Sequence, residues 1–168
     1  MVVTKKRIVF VTCTLLLAVF VSCLQAMPAR SETAPVIPGK VVLAGPGSDA
    51  VCAVTYPTEC SELKAAAEGL AAYVSEAIPG AGLAVAAEGE KADTEYEIAV
   101  CAPDPSLSTY YTLEFDGRRV TLRGRDTQAV NDAVNYLKAY CVLDGYFAVD
   151  TALSFSSEAG PADRKSVV

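Results

Sequence analysis

Apolar residues recur at helical spacing in two stretches of the chain and alternate with polar ones in several others. Leu63, Ala66, Ala67, Leu70, Val74, Ala77 and Ile78 make one stripe, opposite Glu62, Lys64 and Glu68. That period predicts a helix over Glu62–Ile78. Thr58 or Ser61 can cap its first amides, Lys64 and Glu68 stand one turn apart, and Pro79-Gly80 ends it. Val130, Ala133, Val134, Leu137 and Cys141 make a second stripe, opposite Asn131, Asp132, Asn135 and Lys138. This predicts a helix from Thr127 to Val142, with Asp126 as its N-cap.

Lys40–Leu43, Val51–Tyr56, Leu83–Ala87, Glu95–Cys101 and Tyr146–Val149 read as short strands. Gly45-Pro46-Gly47 and Leu143-Asp144-Gly145 read as turns. The clearest local signal is Thr109–Gly124, where Asp116-Gly117 is expected to form a two-residue hairpin turn. Phe115 would then face Arg118, Glu114 face Arg119, Leu113 face Val120, and Tyr111 face Leu122. Apolar residues meet on one face and an ion pair crosses the other, so a one-residue slip would spoil both.

Two helices cannot cover both faces of a sheet this wide. The expected fold is therefore α+β: a two-layer sandwich in which a mixed or antiparallel sheet of about five or six short strands carries both helices on one face. Residues 41–150 form the domain in this reading. Residues 27–40, rich in Pro, Ser, Thr, Ala and Gly, are a linker, and 151–168, which show neither alternation nor a stripe, are a disordered tail.

The first 26 residues change the picture from a cytosolic domain to an exported one. Lys5, Lys6 and Arg7 precede an almost unbroken apolar run from Ile8 to Val21. The run is shorter than the ~20 residues of a membrane-spanning helix and suits a signal peptide. Phe20-Val21-Ser22-Cys23 is similar to a bacterial lipobox, with Cys23 as the lipidated residue; the rival is ordinary cleavage after Ala26. The expected location is extracellular or anchored at a bacterial cell surface, with membrane contact only through that lipid.

Residues 1–23 hold three of the 14 basic residues and none of the 20 acidic ones, which leaves the remainder at −9. Such a balance argues against nucleic acid and anionic membranes as partners. The chain contains no histidine, which removes Ser-His-Asp and Cys-His catalysis and His-ligated zinc. Cys52, Cys60, Cys101 and Cys141 lie beyond the export signal. In an oxidising compartment they suggest two disulfides, Cys52–Cys60 and Cys101–Cys141, against the alternative of four buried thiols.

Little else invites chemistry. Glu95 and Glu97 share a strand face near Asp93 and could reach glycosidase-like separation, but a solvated strand face is the simpler reading. Gly45-Pro46-Gly47 lacks the lysine and spacing of a phosphate loop, and Ser61, Ser75 and Ser106 have no base beside them. Tyr110 and Tyr111 should point to opposite faces, Tyr136 and Tyr140 lie one turn apart, and Tyr146 follows a turn; packing explains them more simply than sugar stacking. We therefore expect no catalytic, cofactor-binding or metal-binding residue in this chain.

The assembled order carries a resemblance. An Ala-rich helix ends in Pro79-Gly80-Ala81-Gly82-Leu83, followed by an apolar strand and the hairpin Tyr111-Thr112-Leu113-Glu114-Phe115-Asp116-Gly117-Arg118-Arg119-Val120. Then comes a helix with Ala129-Val130 and Tyr136-Leu137, closing on Cys141-Val142-Leu143-Asp144-Gly145-Tyr146-Phe147. Over residues 40–150 this resembles the small domain that precedes the catalytic barrel in family 20 glycoside hydrolases (β-N-acetylhexosaminidases) and in α-glucuronidases. Val100-Cys101-Ala102-Pro103 stands where that family ends its central strand in Gly-Gly. The resemblance implies an accessory domain without acid or base of its own, whose partner is the barrel of the same polypeptide.

Two functions follow: a non-catalytic accessory domain of an exported glycoside hydrolase, or a stand-alone surface lipoprotein module that binds a carbohydrate or a protein. A large apolar open sheet face would favour docking, and a groove with aromatic and polar groups would favour binding. Residues 163–168 back-translate to GAT CGG AAG AGC GTC GTG, which is similar to the start of a common sequencing-library adapter. They are expected to be non-native, on a gene cut short before its barrel.

Overall fold

The computed structural model describes residues 36–47, 52–90 and 94–158. The expected signal peptide, Cys23, most of the linker, Asp93 and the suspected foreign ending fall outside them. Nine strands and two helices follow in the order β1 (Lys40–Ala44), β2 (Cys52–Tyr56), α1 (Ser61–Ala77), β3 (Ala84–Ala87), β4 (Tyr96–Val100), β5 (Tyr111–Phe115), β6 (Arg119–Gly124), α2 (Thr127–Tyr140), β7 (Val142–Leu143), β8 (Tyr146–Asp150) and β9 (Ser154–Ser157).

The fold is α+β, and its main element is a six-stranded mixed sheet in the order β3-β2-β4-β6-β5-β9. β3, β2, β4 and β6 run parallel, while β5 and β9 are antiparallel to their neighbours. Helix α1 packs on β2 and β3, α2 packs on β5 and β6, and the helices pack on each other, so both lie on one face. That face presents Val54, Ile98, Leu113, Val120 and Leu122, all fully buried with Leu63, Leu70 and Val74 of α1 and Val130 and Leu137 of α2. Burying each such side chain contributes about 1.5–3 kcal/mol.

The first and last expected strands do not join this sheet. β1 pairs with β8, and β8 with β7, in a separate antiparallel sheet of three strands. Its buried Leu43, Phe147 and Val149 belong to the same apolar cluster as the helices. Helix α2 ends at Tyr140 rather than Val142, because Val142 and Leu143 leave the helix to pair with Phe147 and Tyr146. Asp144 (φ 50°) and Gly145 (φ 80°) make the connecting turn, the Asp-Gly pair with two positive φ angles that a tight hairpin favours.

The central hairpin takes a different register from the expected one. Phe115 pairs with Val120, Glu114 with Thr121, Leu113 with Leu122 and Tyr111 with Gly124. The turn is centred on Gly117-Arg118, not on Asp116-Gly117. The Asp116 carboxylate explains the shift: it accepts from the amides of Arg118 (3.1 Å) and Arg119 (2.8 Å), while Asp116 N donates to Arg119 O (3.1 Å). Each partner moves by two residues, so the apolar face survives. The Glu114–Arg119 pair does not; Arg119 turns to Glu97 of β4 instead.

Capping also divides. Asp126 caps α2 as expected, accepting from Ala129 N at 2.7 Å. Helix α1 begins after Cys60 with no side-chain cap, so neither Thr58 nor Ser61 has the expected role. The Lys64–Glu68 ion pair is present at 3.7 Å.

The stretch expected to begin a disordered tail instead supplies β9, which pairs with β5 through Tyr111↔Ser157 and Leu113↔Phe155. One aromatic ring anchors it: Phe155 stacks on Tyr136 at 4.6 Å and lies 5.9 Å from Tyr111.

Gly124 is expected to be the least replaceable turn or strand glycine. A Cβ there would meet Val130 N at 2.6 Å and the Ala129 carbonyl carbon at 2.8 Å, both backbone atoms. Gly124→Ala should cost ~3 kcal/mol as overpacking. Gly117→Ala, at φ 96° in open space, should cost only ~1 kcal/mol of backbone strain. Urea unfolding of both variants checks this order, and a wild-type midpoint for Gly124→Ala would refute the contact.

Candidate functional site

The face of the main sheet away from the helices has a different chemistry. Strand alternation and register place Ala53, Thr55, Glu97, Ala99, Arg119 and Thr121 at its centre. No large apolar side chain stands among them. The large hydrophobic residues exposed among those described are Val36, Tyr73, Tyr140 and Leu143, none of them on these strands.

A cavity of about 440 Å³ opens on this face, beside the starts of β2 and β4 and the β5–β6 turn. Its walls include Thr55, Glu90, Glu95, Glu97, Arg118 and Arg119. Thr55 Oγ1 donates to Glu97 Oε1 at 2.7 Å, and Arg119 Nε meets Glu97 Oε2 at 3.3 Å. A chain of three side chains thus crosses β2, β4 and β6. Arg118 Nε donates to the Glu95 carbonyl at 3.0 Å, and Glu90 accepts from Ala87 N at 3.0 Å. Asp116, also in the wall, is held below its ordinary value of 3.8 by the amides of Arg119 and Arg118. Tyr96 is raised, first by burial and then by its hydrogen bond to Glu95.

Glu95 and Glu97 do line the same cavity, as their spacing allowed, but both oxygens of Glu97 are engaged by neighbouring strands. Two of the other sequence candidates have structural roles. Gly47 N donates to Gly80 O at 3.1 Å, which ties the Gly45-Pro46-Gly47 turn to the end of α1. Ser106 Oγ donates to Asp104 at 2.6 Å within a local turn.

Tyr110 and Tyr111 do not diverge to opposite faces; both are buried, because Tyr110 precedes β5 and the alternation does not reach it. Its hydroxyl donates to Asp132 at 3.0 Å and Arg125 covers its ring at 4.9 Å. Burial and that carboxylate push the phenol up to about 12.

The expected disulfides are not formed: Cys52, Cys60, Cys101 and Cys141 are thiols. Cys52 opens β2 and Cys60 lies beyond its far end, a strand of five residues or about 13 Å away. Strand alternation puts Cys101 on the open face, where Arg123 and Arg119 bear on it, whereas Cys141 closes α2 on the other side of the sheet. A bridge needs Cα atoms within ~7 Å. Among the described residues no group of three acidic or cysteine side chains could hold a metal ion, and no helix is long and apolar enough to cross a membrane.

No protein-family model and no curated protein matches the chain. Among solved structures it is similar to a GH138 enzyme targeting pectin rhamnogalacturonan II, with 15% identity and a TM-score of 0.48. The match covers 64% of this chain and spans 15% of that enzyme's chain. This distant neighbour is a glycoside hydrolase, but not one of family 20.

Two outcomes follow from the site. Burial pushes Cys52 up to about 12 and Cys141 up to about 11. Native protein treated with iodoacetamide at pH 8 should therefore label at half-exposed Cys60 first and leave Cys52 and Cys141 intact until urea is added; peptide mass mapping reads the order. Asp116 has a folded pKa below its unfolded one, so its contribution to stability is present above the ordinary value of 3.8 and lost as pH falls through the folded value. Asp116→Asn should flatten the acid side of a stability–pH curve measured by thermal melting and leave the alkaline side unchanged.

Proposed function

We propose that this chain is a non-catalytic accessory domain of an exported glycoside hydrolase, active only through a catalytic barrel carried on the same polypeptide. The reading rests on the ordered resemblance over residues 40–150. One structural observation carries it: three of the four cavity carboxylates hold the fold together. Glu97 joins β2 to β6, Asp116 shapes the hairpin turn, and Glu90 closes the end of β3. A hydrolytic pair needs one carboxyl free to give a proton and another free to attack or activate water. These three are already committed to neighbouring amides, a hydroxyl and a guanidinium, which leaves Glu95 without a second free carboxyl to complete a pair; their remaining lone pairs can still accept hydrogen bonds.

A second reading, a self-standing surface module, gains from the polar open face. A partner docking there would meet hydroxyls and charges rather than a large apolar patch. Interfaces between domains of one chain are themselves more polar than obligate ones, so the accessory reading retains this face as a contact.

Purified chain incubated with aryl N-acetylglucosaminides and aryl glucuronides should release no aglycone above a buffer blank. Turnover that disappears in Glu95→Gln or Glu97→Gln would assign the chemistry to this chain and overturn the accessory role.

A further inference from the structure

We infer that the cavity on the open sheet face is a binding site for a neutral sugar ring, held through adjacent hydroxyls. The inference deepens the accessory reading and rests on its carbohydrate assignment. The volume, about 440 Å³, falls in the range of small-molecule sites. The lining chemistry selects the class of occupant. Ala53 and Tyr96 are the only wall residues without a charge or an aliphatic hydroxyl, too little apolar surface to select a lipid or a large apolar ligand. Four carboxylates, Glu90, Glu95, Glu97 and Asp116, face two guanidiniums, Arg118 and Arg119. That balance repels phosphate, sulfate or a uronate despite the paired arginines.

A neutral polyol fits both signs. Each hydroxyl donates to a carboxylate and accepts from a guanidinium, a match that neither a cation nor an anion can make. The arginines keep donors for it, because Arg118 is engaged through Nε on the Glu95 carbonyl and Arg119 through Nε on Glu97. Thr55 and Thr94 add hydroxyls, and the Thr55–Glu97–Arg119 chain sets the acceptor and donor in place before any ligand arrives. Preorganised polar groups of this kind lose less freedom on binding.

The test is a titration of the full ¹⁵N-labelled exported chain with methyl glycosides of glucose, galactose, rhamnose and N-acetylglucosamine, followed by amide shifts. Glucuronic acid, inorganic phosphate and spermidine serve as charged comparators. At least one neutral glycoside should saturate, with shifts at Thr55, Glu97 and Arg118. Arg118→Ala and Thr94→Val, both in the cavity wall, should each weaken that binding by about tenfold while the chain stays folded, with the melting temperature of Thr94→Val at the wild-type value. Shifts absent from these amides with every neutral glycoside, or tighter binding of a charged comparator there, would overturn the site. One-dimensional ¹H spectra of the same samples report hydrolysis independently: anomeric signals of a released reducing sugar would overturn the accessory reading, whereas silence at the cavity without hydrolysis would remove the site alone.

Discussion

Gly124 lets the first turn of α2 rest on the end of β6 with no side chain between them, at distances where a methyl group would collide with backbone. That contact sets the height of the helix layer. From it, Val130, Ala133, Val134 and Leu137 descend onto Val120, Leu122 and Leu113, and α1 packs beside α2 over β2 and β3. Asp126 fixes where the helix starts, one short step after the strand ends. Raising α2 by the thickness of a methyl would loosen contacts along its whole buried stripe, since interiors are packed to crystal-like density.

With all the large apolar side chains drawn to one side, the sheet's other side is left to small and charged residues. Ala53, Ala99 and Thr55 are nearly inaccessible even there. The long side chains of Glu97 and Arg119 stand on adjoining strands and pair with each other. The pair is partly exposed, so its worth to stability is modest. Its geometric effect is larger: with Thr55 it ties three parallel strands side to side and leaves a polar recess at their starting ends.

Periodicity showed both helices, the paired apolar faces and the cap at Asp126, because each is written in residues close together in the chain. It did not show which strands leave the main sheet. β1 and β8 look like any other short apolar strand, and their pairing is a choice among distant partners. The two Asp-Gly pairs make the same point locally. At Asp144-Gly145 both residues take positive φ and form the turn. At Asp116-Gly117 the carboxylate reaches forward to two amides and moves the turn by one position. β9 is not legible in the sequence because a single phenylalanine among serines gives no alternation; it is anchored by the Tyr136 ring, which only the fold brings near. Of the cavity, Glu95 and Glu97 were legible as a shared face, but the roles of Thr55 and Arg119 depended on a parallel pairing that no local pattern specifies.

The pairing of β1 with β8, from Lys40↔Asp150 to Ala44↔Phe147, and of β5 with β9 gives the domain a late closing order. Its first strand waits for its eighth, and the outer edge of the main sheet waits for its ninth. Contacts so far apart in the chain are slow to form. A chain threaded N-terminus first through a narrow passage could complete neither sheet before nearly all of it had emerged. The topology therefore acts as a delay: neither sheet locks until the last strands are free.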